Sequence, residues 1–223
     1  MAGLTAVSKL HILTTILRWV VVVLILRVMA GILTNYPDYF PPNFDSTFLL
    51  GRERTFPGLY AVAFYVHLVS SPVVLVVGLI LLSETIRRRF RGLHRRLGWV
   101  QVVVLLAFVL PSSLVMARRA IGGWPAGVSF VLLTAATAVC VVAGVVQARR
   151  KRFDSHRRWM IRCYVLICSA VVLRIISGAV GLFEVPSPEG AYIISAWASW
   201  VVPLAVYELV EWIRASRSNS RPS

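Results

Sequence analysis

Six apolar stretches of about 20 residues each, parted by short polar or arginine-rich segments, run through this chain of 223 residues. A stretch of that length is what crosses a hydrocarbon core roughly 30 Å thick. With 58% hydrophobic residues, the chain has too little polar surface for a soluble protein of its size. Helices that face lipid need no polar side, because no water has to be satisfied there. The expected fold is therefore all-α, a polytopic membrane helix bundle. The spacing predicts six transmembrane helices over about 12–33, 58–83, 98–117, 126–148, 160–182 and 191–213. They form a single membrane domain over residues 1–213, followed by a flexible cytoplasmic tail over 214–223.

The formal net charge of +15 raises the question of nucleic acid. The basic residues fall at the ends of apolar runs, however, and not along a solvated groove interleaved with aromatics. No nucleic-acid partner is expected, and the lipid bilayer is the principal one. On the six-span reading, seventeen Lys and Arg residues stand on the side that carries both termini, against Arg52, Arg54, Arg118 and Arg119 opposite. By the positive-inside rule both termini are cytoplasmic. Arg18 and Arg27 interrupt the first apolar stretch, which argues for a span and against the uncharged core of a signal peptide.

Two of the cytoplasmic segments share a pattern. RRRFRGLHRR at 87–96 and RRKRFDSHRR at 149–158 each hold an aromatic residue and then a histidine followed by two arginines, and each opens an apolar run. The histidines are 62 residues apart. Duplication of a helix pair produces this, and so does independent selection for positive charge at cytoplasmic elbows. Short connections make the second and third spans, and likewise the fourth and fifth, antiparallel neighbours. Pro72, Pro111 and Pro203 lie inside spans, where each removes a hydrogen bond and tends to kink the helix.

The segments FYVHLVSSPVVLVVG (64–78), LHRRLGWV (93–100) and HRRWMIRCY with the downstream VLRIISG (156–178) resemble a bacterial membrane-protein family, domain of unknown function 2306. The resemblance spans roughly residues 60–180, and His-Arg-Arg-Trp-Met-Ile-Arg is its most specific motif. It implies a multi-helix membrane fold and marks His67, His94 and His156. It supplies no activity.

His94 and His156 each begin a helix at the cytoplasmic edge, so two imidazoles are expected at one depth on the third and fifth helices. That is the arrangement a six-coordinate b-type haem needs, with Arg95, Arg157 and Arg162 available for its propionates. The competing reading puts each histidine in an interfacial polar belt or on a loop carbonyl. A third reading adds His11, with Glu84 or Asp154, as ligands of a divalent metal. No helical pair at i, i+4 and no compact Cys/His cluster supports that one. Cys140, Cys163 and Cys168 fall inside spans and read as small core residues.

A second constellation lies in the exterior half. His67 sits about 13 Å from the exterior start of its span and Arg174 about 12 Å from the exterior end of its own. Arg27 enters the same layer. None of the nine acidic residues shares that depth. Ionisable groups inside a membrane usually face the bundle interior, where charge or water compensates them. Either an acid from the exterior loops (Asp38, Asp45, Glu53, Glu184 or Glu189) dips in, or the layer holds an anionic or carbonyl-bearing ligand such as a lipid phosphate or a quinone. The proline- and aromatic-rich loop over 35–60 is the natural lid. Snorkelling of the arginines is the alternative. Glu208 and Glu211 share a helix face and are expected to anchor elbow arginines, while the tryptophans are expected mostly in interfacial belts.

No Ser/His/Asp set, phosphate-cradling glycine loop or paired carboxylate stands in a position for catalysis, which argues against hydrolase and kinase chemistry. No catalytic residue is assigned, and whether the chain is an enzyme stays open. The reading is an integral protein of a bacterial inner membrane that transfers electrons through haem bound by His94 and His156, in exchange with quinone. The alternatives are a non-enzymatic binding or transport protein with an anion or lipid cavity at His67, Arg174 and Arg27, and an accessory subunit of a larger membrane complex.

Overall fold

The computed structural model describes residues 2–46, 48–182 and 187–219. It is all-helical, without a strand among those residues. In chain order the helices are α1 (Ala2–Thr34), a 3-10 turn (Tyr36–Tyr39), α2 (Leu59–Leu81), α3 (Glu84–Arg89), α4 (Arg91–Val104), a π-helical turn (Leu105–Val109), α5 (Leu110–Ala117), α6 (Gly123–Arg149), α7 (Phe153–Ile167), α8 (Ser169–Val180) and α9 (Pro188–Asn219). Five segments are long and apolar enough to cross a membrane: Leu59–Leu81, Arg91–Ala117, Gly123–Arg149, Phe153–Val180 and Pro188–Ser216. Trp19–Thr34 of α1 is a shorter apolar helix. The protein is thus a polytopic helical bundle.

Contacts group the chain into two compact units, Met1–Arg52 and Glu53–Ser223, where the apolar pattern suggests one domain. In the first unit the segment after α1 is folded by local bonds. The Asn43 carbonyl accepts from Ser46 Oγ at 2.7 Å, and Arg52 donates Nε to the Phe48 carbonyl at 3.1 Å while stacking over the Phe48 ring. The loop is a chain of turns, as its Pro, Asn, Asp and Ser content favours.

In the second unit α2 packs on α4 and α5, and α6 packs on α5, α7 and α9. The two hairpins joined by the basic elbows are therefore both formed. The core is a cluster of Val74, Leu105, Val109, Cys140, Val141, Cys163 and Leu166. Two of the three cysteines are buried there as small apolar residues. In lipid there is no hydrophobic force to hold helices together, so close packing and interhelical hydrogen bonds must do so. Gly78, Gly127 and Gly144 provide the closest approaches, the second against the Ala117 carbonyl. A Cβ on Gly78 would stand 2.5 Å from the Tyr164 ring, and one on Gly144 would stand 2.6 Å from Met160 Sδ.

The π-helical turn precedes Pro111, which has no N–H to donate and whose ring crowds the preceding turn. Widening that turn relieves the crowding: Leu110 N–H bonds to the Leu105 carbonyl, and the hydroxyls of Ser112 and Ser113 donate to Phe108 and Val109 carbonyls. Helices α4 and α7 begin at Arg91 and Phe153, outside the boundaries expected from the apolar runs. Arginine-rich turns are good helix formers that hydropathy does not see. For the same reason α9 continues through Asn219, so the segment from 214, expected as a tail, is helical up to that point. Its last turns carry an Arg214–Glu211 pair and a Ser216 Oγ bond to the Trp212 carbonyl. Residues 220–223 lie outside the described residues.

Candidate functional site

The two elbow histidines occupy the same position in their helices. His94 is the fourth residue of α4 and His156 the fourth of α7, and their amides donate to the Phe90 and Arg152 carbonyls, each at 2.9 Å. The rings are close enough to interact electrostatically. His156 Nδ1 lies 2.8 Å from the Gly144 carbonyl on α6. A carbonyl only accepts, so Nδ1 carries the proton, and in the neutral ring Nε2 is then a bare acceptor. The missing side chain of Gly144 is what lets α7 come near enough for this bond. His94 Nδ1 is buried and has no hydrogen-bond partner. Arg95 and Arg157, next in sequence to the histidines, have exposed side chains.

Arg162 turns elsewhere. Its Nε and Nη2 bond to Glu208 Oε1 and Oε2 at 2.5 and 2.8 Å, a fork-on-carboxylate geometry, and the guanidinium lies between the Trp159 and Tyr207 rings. The anchoring role of Glu208 is thus realised with Arg162, while Glu211 pairs with Arg214 on its own helix. Glu84, one of the possible metal ligands, is engaged by Arg87 and Arg88 at 3.2 and 2.6 Å. The side chain of His11 lies outside the described residues. Among the described residues no three His, Cys, Asp or Glu side chains converge to hold a metal ion.

In the half of the bundle away from the elbows, His67 Nδ1 is 3.2 Å from Ser112 Oγ and 3.3 Å from Ser113 Oγ. Both hydroxyl protons go to helix carbonyls, at 2.6 Å for Ser112 to Phe108 and 2.7 Å for Ser113 to Val109. The hydroxyls must therefore accept from the ring, so His67 is also protonated at Nδ1 with a bare Nε2. Arg174 on α8 donates Nη1 to the Ala170 carbonyl at 3.0 Å and is within electrostatic reach of His67. Arg27 belongs to α1 in the first unit, with an exposed side chain. Asp38, Asp45, Glu53 and Glu189 are exposed. Glu184 lies outside the described residues.

Several polar residues of the interior were not singled out by sequence. Gln101 is 2% exposed and donates Nε2 to the Val74 carbonyl at 3.0 Å, and Tyr164 donates its hydroxyl to the Leu75 carbonyl at 3.1 Å. Both tie α2 to a neighbour at the level of Gly78. Trp197 and Trp200 donate Nε1 to the Pro125 carbonyl and to Ser129 Oγ. A lone Gln within an apolar run was the available signal for the first, since such a residue in lipid must find an interhelical partner.

A family model described as "Predicted membrane protein (DUF2306)" matches residues 64–211, which includes His67, His94, His156, Arg174 and Glu208. The chain belongs to the DUF2306 family. No curated protein and no solved structure matches it. In this DUF2306 protein the matched region runs from within α2 almost to the end of α9 and contains both hairpins with their elbows.

Proposed function

We propose that this DUF2306 protein transfers electrons through a b-type haem held by His94 and His156. The observation that carries the reading is the tautomer of His156. Its Nδ1–H is anchored on the Gly144 carbonyl, which orients the ring and leaves Nε2 free to ligate. Histidine ligands of metals are characteristically held in this way, by a hydrogen bond from the other ring nitrogen. His94 supports it from the opposite helix with the same helical phase and a buried ring nitrogen that lacks a partner. Arg95 and Arg157 are the propionate partners in this reading, since Arg162 is already engaged by Glu208.

The membrane is a bacterial inner membrane with both termini cytoplasmic, as the seventeen-to-four distribution of basic residues favours. The exterior pair His67 and Arg174 is the quinone site. A bare Nε2 accepts from a quinol hydroxyl, and a guanidinium donates to a quinone carbonyl.

Purified protein expressed with ample haem is expected to show a Soret band that His94→Ala or His156→Ala abolishes. A colourless wild-type protein overturns the reading.

The polar group formed by His67, Ser112 and Ser113, with Arg174 in the same half of the spans, favours a second reading in which that half binds an anion or lipid for transport or as an accessory subunit of a larger complex. Ligand-dependent thermal stabilisation that Arg174→Ala removes, in a protein without haem, selects it.

A further inference from the structure

A cleft of about 600 Å³ opens between α7 and α9, lined by Arg158, Arg162, Glu208, Glu211, Trp212 and Arg214 among others. Its charges do not cancel. Glu208 is taken by Arg162 and Glu211 by Arg214, while Arg158 pairs with no carboxylate among the described residues. One guanidinium is left over, and it is exposed.

A leftover guanidinium suits an anionic oxygen group, and phosphate offers several acceptor oxygens. The cleft's surroundings indicate where that phosphate comes from. Along α9, Val206, Leu209 and Trp212 are 56%, 55% and 67% exposed, an apolar flank with a tryptophan at the end where spans meet headgroups. Both carboxylates of the cleft are already paired, so none remains for the ammonium of a zwitterionic headgroup.

We propose that this cleft is a specific site for the phosphate of an anionic membrane lipid, with Arg158 as its cation and the acyl chains along α9. The site requires neither haem nor quinone.

Native mass spectrometry of the full chain in mild detergent, titrated with phosphatidylglycerol or phosphatidylcholine, tests it. Phosphatidylglycerol is expected to stay bound where phosphatidylcholine does not. Arg158→Gln is expected to weaken binding about fivefold, the share of one basic residue at an anionic surface. Arg158→Lys restores part of it, and Arg150→Gln, which removes an elbow charge outside the cleft, leaves it unchanged. Equal binding of the two lipids, an Arg158→Gln protein that binds like wild type, or an equal loss in Arg150→Gln overturns the site. Displacement of phosphatidylglycerol by millimolar inorganic phosphate or glycerol 1-phosphate overturns the lipid assignment in favour of a soluble phosphate.

Discussion

His156 donates its Nδ1 proton to the carbonyl of Gly144 across the α6–α7 hairpin, at 2.8 Å. The bond depends on a glycine, because a Cβ at that position would stand 2.6 Å from Met160 Sδ and 3.7 Å from Trp159 Cβ. One residue thus sets both the spacing of the hairpin and the orientation of the imidazole.

Gly144→Ala is therefore expected to destabilise the protein by about 1–3 kcal/mol, the usual cost of overpacking a close contact. Thermal unfolding in detergent measures it. Gly98→Ala, with nothing within 4 Å of the added Cβ, serves as the control and should be neutral or mildly stabilising, since alanine is the better helix former. If Gly144→Ala melts with wild type, α7 has no tight seat on α6.

Tyr164→Phe removes a hydroxyl that ties α7 to the Leu75 carbonyl on α2. Interhelical hydrogen bonds in membranes average about 0.6 kcal/mol, with a maximum near 1.7, so a loss within that range is expected in a reversible unfolding assay. Gln101→Leu is a contrasting case. Its Nε2 bond to Val74 is lost, yet a buried Oε1 that lacks a partner disappears with it, and the net change should be smaller than for Tyr164→Phe.

The Arg162–Glu208 pair joins α7 to α9 by two hydrogen bonds, with Arg162 at 20% and Glu208 at 45% side-chain exposure. Partial solvent screening limits its strength. A double-mutant cycle with Arg162→Ala and Glu208→Ala is expected to return a coupling of about 1 kcal/mol, at the upper end for exposed pairs. A coupling near zero means the two side chains hold each other only incidentally.

Orientation is open to direct measurement. A cysteine placed at Asp154 in a variant lacking Cys140, Cys163 and Cys168 should react with an impermeant maleimide only after the membrane is opened from the cytoplasmic side. One placed at Arg118 should react from outside in intact cells. The reverse pattern overturns the assignment made from basic residues.

The bundle was legible in the primary structure because lipid imposes a length and a composition on every span, and the basic elbows mark where spans meet water. His67 and Arg174 were legible for the same reason: a charged or titratable residue in an apolar run stands out. The partners were not. Ser112, Ser113 and Gly144 are ordinary small residues of membrane helices, and nothing in their spacing says which histidine each one meets. Helices α4, α7 and α9 reach beyond the apolar runs to 91, 153 and 219, where hydropathy falls while helix propensity persists.

By itself the sequence determined the class of fold, the division into apolar spans and the matched placement of His94 and His156, since these follow from local properties: hydrophobic length, charge position and helical phase. Only the tertiary structure decided which ring nitrogen of His156 and of His67 carries the proton, that Arg162 belongs to Glu208, and that Arg158 faces a cleft without a carboxylate of its own. Those outcomes depend on contacts between helices far apart in the chain. In a membrane such contacts come from close packing and single hydrogen bonds, which leave no periodic trace in the residues that make them.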